Sequence, residues 1–311
     1  MAGSGSVSIV WSDDHASSML PRQIGDWFSP FGSELQVDVI VRAGRFSERI
    51  PQGRFVIESV PEANRTDSAF GVRKITAGEV FKVELRDPLV RVARDEFSFP
   101  TAPSSTSAWG EIQATTGFPV VRNMPDVVVP GSVSYADEKS GVLNKLFDLL
   151  GAWPHVDAAG ALTARPKAWP APMGVVTGVV SAPISMRSEK TYNRVVVEGK
   201  SPEGLPLYGV ADVREGFLRV ANADGSASPF GVAVYRYASD FLQFQGQVNA
   251  EARALLERVS RVRSVTRRVE EPFNPTRELG DVLTLHDGVG RVIDLTHDGA
   301  VTQMVLEVPD E

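Results

Sequence analysis

A short helix followed at once by a tight hairpin, set in a chain that otherwise reads as strand after strand, constrains this fold more than any other feature. In residues 138–153, Val142, Leu143, Leu146, Phe147, Leu149 and Leu150 form an apolar stripe at helical spacing, with Asn144, Lys145 and Asp148 on the other side. Gly151 ends the helix, because glycine takes the left-handed C-cap conformation at no steric cost. A strand at 155–157, an Ala-Ala-Gly turn and a strand at 161–165 closed by Pro166 complete the unit. A helical insert between two β regions is an assembly plan, and the residues around it carry no catalytic pattern.

On either side of the insert the period is two. Leu35, Val37, Val39 and Val41 alternate with Gln36, Asp38 and Arg42, so one face of this strand is buried and the other wet. Residues 53–60 and 80–86 repeat the pattern, and three such strands in so short a stretch predict a small antiparallel barrel or sandwich. Residues 107–116 read as a short helix carrying Trp109 and Ile112. Strands resume at 193–198, 207–213 and 232–237, then 265–270, 282–285, 291–296 and 301–308, with Asp287-Gly288 and Asp298-Gly299 as hairpin turns. Between them, residues 245–262 form a helix, with Val248, Ala252, Leu255, Leu256, Val259 and Val262 on one face. The expected division is an arm at 1–34, a first β domain at 35–103, a helical insert with its hairpin at 104–171, and a second β domain at 172–311 with the helix 245–262 packed on its meander. The expected fold class is mainly β with an α insert.

Composition removes several classes of function. With 311 residues the chain buries a sizeable core and splits into two or three domains. Zero cysteines exclude disulfides, thiol nucleophiles and cysteine-ligated metal centres. No apolar run approaches the ~18 residues of a membrane span, and residues 1–7 lack the order of a signal peptide. A net charge of −7 argues against a tightly held nucleic acid.

The candidate chemical groups read as structure. His286-Asp287-Gly288 and His297-Asp298-Gly299 could supply metal ligands, but as consecutive turns of a meander they lie about 20 Å apart, at opposite sheet ends. Asp13-Asp14-His15 has no second cluster and reads as a solvated loop, and His155 opens a strand as a half-exposed residue. The chain has no G-x-S-x-G elbow, no H-E-x-x-H and no phosphate loop, and no carboxylate pair stands out for glycoside hydrolysis. No active site and no cofactor is expected. Two features suggest contact surfaces instead. Trp27 and Phe28 sit in an arm that docks its aromatics on something, and six arginines in residues 253–268 include Arg253, Arg258 and Arg261 on the polar side of the helix, a residue type enriched at interfaces.

The order of these segments resembles the hub protein at the tip of long-tailed phage tails, a fold that also serves as the central baseplate hub of contractile tails and as the N-terminal part of tail-associated lysins. The resemblance runs from Phe31-Gly32-Ser33-Glu34-Leu35-Gln36-Val37 and Ile50-Pro51-Gln52-Gly53-Arg54-Phe55-Val56-Ile57 into the insert. There it takes in Leu143-Asn144-Lys145-Leu146-Phe147-Asp148-Leu149-Leu150-Gly151 and the hairpin turn Asp157-Ala158-Ala159-Gly160. It continues in Tyr192-Asn193-Arg194-Val195-Val196-Val197-Glu198-Gly199 and ends in Asn274-Pro275-Thr276-Arg277-Glu278-Leu279-Gly280-Asp281-Val282. It implies two tube-lining antiparallel β-barrels per chain and a homotrimer whose six barrels ring a channel. That ring would adapt a sixfold tail tube to threefold tip or fibre proteins at the distal end of the virion tail, after synthesis in the host cytoplasm. The implied partners are further copies of the chain, tube proteins, tape-measure protein, and DNA only in passing, which an acidic lumen would repel. Only Pro-Asp-Glu follows Val308, so any wall-degrading activity is expected in another protein. The competing expectations are a carbohydrate- or receptor-binding tail module, which would cluster exposed aromatics whereas Trp11, Trp27, Trp109, Trp153 and Trp169 scatter, and a cell-wall glycosidase.

Overall fold

The computed structural model describes residues 3–11, 18–70, 73–136, 138–181, 191–260 and 266–309. It is mainly β with an α-helical insert, as the alternation predicts. Strands β1 (Ser4–Trp11), β2 (Glu34–Ala43), β3 (Phe46–Phe70) and β4 (Arg73–Arg86) form an antiparallel sheet in the order β1-β4-β3-β2. Register places Ile9 opposite Phe81, Leu35 opposite Phe55 and Ile57 opposite Leu85, so most apolar residues share one face, while the pair Val10 and Val80 lies exposed on the other. Ile57, Phe81, Val83 and Leu85 are buried there. Register shifts at Val37/Asp38, Ile57/Ser59, Ser59/Glu62 and Thr66/Asp67 bend the long strands, since an unpaired residue kinks the strand that carries it. β1 corrects the sequence reading, which assigned its residues to an arm.

The insert follows. After the single-turn α1 (Val90–Ala93) come α2 (Ala108–Thr116) and α3 (Lys139–Leu149), then β5 (Ala152–Val156) and β6 (Leu162–Pro166). Ser107 caps α2, its hydroxyl accepting the Gly110 N–H at 3.0 Å. Gly151 stands past α3 at φ 69°. The Asp157 carboxylate accepts the N–H groups of Ala159 (2.9 Å) and Ala161 (2.8 Å), which shapes the hairpin turn. Trp109, Ile112, Leu146, Phe147 and Leu162 are fully buried, with Trp109 edge-on to Phe147 at 5.9 Å.

The C-terminal part holds two sheets. β7 (Gly174–Val175) and β8 (Val179–Ser181) come first, then β9 (Arg194–Lys200), β10 (Pro206–Asp212), β11 (Val234–Ala238) and α4 (Gln245–Val259). β12 (Thr266–Pro272), β13 (Val282–Leu285), β14 (Gly288–His297) and β15 (Val301–Glu307) finish the chain. The six-stranded sheet runs β7-β13-β14-β15-β12-β8. Laid flat, its edges would stand about 24 Å apart. Only three residues separate β7 from β8, and that link spans at most about 14 Å. The sheet is therefore curled into a partial barrel, its two edges brought within about 14 Å of each other where the link joins them. Gly178 sits in the link, where a β-carbon would collide with the Glu270 carbonyl oxygen.

The remaining sheet, β10-β9-β11, has α4 on one face. α4 buries Val248, Ala252 and Leu255 against Val195, Val197 and Ala211, so it packs on this sheet and not on the closing meander, whose core is Val269, Leu283, Leu285, Val292, Met304 and Leu306. It ends at Val259, and Val262 lies outside the described residues. A β-carbon on Gly209 would lie 2.7 Å from the Val248 carbonyl oxygen, so the close approach of helix to sheet needs a glycine there.

Candidate functional site at the junction turn

The turn between β12 and β13, residues 273–281, joins three parts of the molecule. Its own shape is set locally. The Asn274 side-chain oxygen accepts from the Thr276 hydroxyl (2.7 Å) and N–H (3.2 Å), and the Asn274 N–H donates to the Thr302 hydroxyl at 2.8 Å. Arg277 forks onto Glu271 at 2.7 and 3.2 Å and donates to the Val175 carbonyl at 2.9 Å, tying the turn to β12 and β7. The Glu271 side chain is only 1% exposed. Burial alone would push its carboxyl up, but the hydrogen bond and charge of Arg277 outweigh it and hold Glu271 below the usual carboxylate range.

From this base the turn reaches outward twice. Gln52, on β3 of the first sheet, donates its side-chain N–H to the Pro275 carbonyl at 2.9 Å. Glu278 meets Arg165 of β6, with the Arg165 guanidinium 3.7 Å from Asp281 and the His155 ring nitrogen 3.6 Å from Glu278. The hydrogen bond with His155, and then the charge of Arg165, hold Glu278 below the carboxylate range, while burial pushes Asp281 up. Beside this cluster Arg291 of β14, 2% exposed, stacks between Trp153 (5.1 Å) and Trp169 (4.5 Å). It donates to the carbonyls of Lys167 (3.0 Å) and Ala168 (2.8 Å). The hairpin of the insert is thus clasped to the rolled sheet by one cation between two indoles and by an ion cluster next to it.

A second seam joins the insert to the helix-covered sheet. Asp148 of α3 accepts from Lys167 at 2.6 Å and from the Tyr237 hydroxyl at 3.1 Å. Burial, and then the Asp148 charge, push the Tyr237 phenol well up, so it remains a donor. Phe241 is buried in the core of the insert, stacked on Tyr135 at 6.4 Å.

The residues singled out in the sequence go to separate places. Trp27 is 78% exposed, but its neighbour Phe28 turns inward, edge-on to Phe81 at 5.1 Å. Arg253 and Arg258 are exposed on α4, and Arg261 lies outside the described residues, as does Asp13-Asp14-His15. His286 and His297 stand at opposite ends of β14, His297 bonded to the Thr302 hydroxyl at 3.0 Å. His155 sits inside the junction, with a side chain only 16% exposed. Among the described residues no group of three His, Asp or Glu could hold a metal ion. Arg165, Arg291 and Gln52 escaped the sequence reading, because a single polar residue on a strand gives no sign of what it will face.

No protein-family model matches the sequence, and no curated protein does either. Solved structures do. A tail protein from Neisseria meningitidis MC58 superposes with a TM-score of 0.58 at 10% identity, covering 98% of this chain and 97% of its own. The 43 kDa tail protein of prophage MuSo2 from Shewanella oneidensis gives 0.52 at 10% identity, over 99% and 90%. The chain has the fold of phage tail proteins.

Proposed function

We propose that this chain is a non-enzymatic structural subunit of a phage tail, a distal hub whose three copies form a ring of six β units around a channel. The observation that carries this reading is the junction turn, which binds the first sheet, the insert and the rolled sheet to one another through Gln52, Arg165 and Arg277. Two β units held in a fixed relation within one chain are what three copies need to present six units to a sixfold tube. The first sheet adds a second reason. It leaves two long edge strands, β1 of 8 and β2 of 10 residues, whereas the C-terminal sheet rolls up. Long open edges are template surfaces for another chain. The outward face of this sheet pairs Ser6 with Glu84 and Ser8 with Lys82 before the exposed pair Val10 and Val80, and its polar part suits a wet lumen through which tape-measure protein and DNA pass. Trp27, Arg253 and Arg258 are exposed and available to neighbouring subunits.

The receptor-binding alternative needs free aromatic faces for sugars. Trp109 is buried, and Trp153 and Trp169 are taken by Arg291. Copy number tests the hub reading. Mass measurement of purified tails or tip subassemblies is expected to give three copies per tail, and one, six or twelve would contradict it. A lytic zymogram is expected to stay blank.

A further inference from the structure

We infer that residues 18–33 are a lid over the apolar face of the first sheet, latched by the buried carboxylate of Glu79, that opens without unzipping a strand. β1 and β2 lie at opposite edges of the four-stranded sheet, so the chain between them must cross its face. Met19, Leu20 and Phe28 point inward onto the core of Ile57, Phe81, Val83 and Leu85. Ile24, Trp27 and Phe31 point outward, 76%, 78% and 70% exposed. The segment shapes itself: Asp26 accepts the N–H groups of Arg22 (2.7 Å) and Gln23 (3.0 Å), and its own carbonyl accepts the Ser29 N–H at 2.9 Å. Among the described residues, the hydrogen bonds made between Pro21 and Phe31 stay within the segment.

The polar ties to the rest of the sheet are at the two ends. At one end Glu79 of β4, 2% exposed, accepts the Ser18 hydroxyl at 2.7 Å and the Met19 N–H at 2.8 Å, with Arg65 3.4 Å away. At the other the Ile57 N–H donates to the Ser33 carbonyl at 3.0 Å and Arg91 reaches the Gly32 carbonyl at 3.4 Å. A self-contained segment seated on apolar contacts and pinned at its ends moves as a unit, unlike a paired strand. Opening would bare Ile57, Phe81, Val83 and Leu85. The inference does not depend on the hub reading.

Amide hydrogen exchange on the full chain tests it. Glu79→Gln keeps the size and removes the charge that Ser18, Met19 and Arg65 share. Exchange at Met19 and Leu20 is expected to rise about tenfold to a hundredfold, the worth of a charge-assisted hydrogen bond, with Val83 and Leu85 unchanged. Ser18→Ala removes one donor and leaves the others, so it should give a smaller rise at the same amides; it also decides the matter should the Glu79→Gln variant fail to fold. An equal rise across lid and strands, or no rise at the lid in either variant, would overturn the inference.

Discussion

Arg291 is the residue whose loss should be felt furthest. Its guanidinium lies between Trp153 and Trp169 and donates to two carbonyls of the segment leaving the hairpin. Arg291→Ala removes both stacking contacts and both charged donors at a buried site. The expected loss is about 3 kcal/mol or more, seen in urea unfolding together with a change in tryptophan emission. Arg291→Lys should recover little, because an ammonium lacks the planar fork. Glu271 makes the complementary case. Glu271→Gln leaves Arg277 without its counter-charge in a buried site, at a cost of about 3–5 kcal/mol. Glu271 and Glu278 are both held below the carboxylate range, so the stability they supply is complete above about pH 4.5 and is lost as pH falls through their folded values. Asp281, pushed up by burial, works in the opposite direction. Urea titrations from pH 7 to 3.5 should therefore show stability falling on the acid side, and Glu271→Gln should flatten that limb. An unchanged slope would mean that Arg277 does not govern Glu271.

At the scale of elements, much of the fold was legible and its partners were not. The helix 245–259 announced itself through Val248, Ala252 and Leu255, since a stripe at period 3.6 says that a face is buried. It does not say against what: the pattern shows the strands of the sheet under α4 but not that the helix packs on them and not on the closing meander. β2 was legible because Leu35 to Val41 alternate without a break, whereas β3 outgrew its expected bounds because three register shifts interrupt its period. β7 and β8, two and three residues long, are too short to carry any period. Of the site, the turn Asn274–Asp281 was visible as a motif, but the residues it meets were not, because Gln52 lies 223 positions away in sequence. The packing of α4 can be checked at Gly209. Gly209→Val would drive a branched side chain into the Val248 carbonyl and cost about 1–3 kcal/mol. Hydrogen exchange in α4 should rise while that of β13–β15 is unchanged. A uniform effect would mean that the two sheets do not stand on separate cores.

The whole molecule is best understood from its unequal closures. The C-terminal sheet rolls onto itself through the three-residue link between β7 and β8, and the first sheet stays open, faced by residues 18–33. The insert is clasped to the rolled sheet by Arg291 and Arg165 and to the helix-covered sheet by Asp148 and Phe241. A chain so built exposes long strand edges and single aromatics to its surroundings, the surfaces that the proposed ring subunit would use. The measurement that bears most directly on this account is a symmetry-resolved map of the assembled particle containing the chain. The account predicts three copies around the tail axis, with six β units bordering a central channel. Copies attached at the periphery, away from the axis, would contradict it.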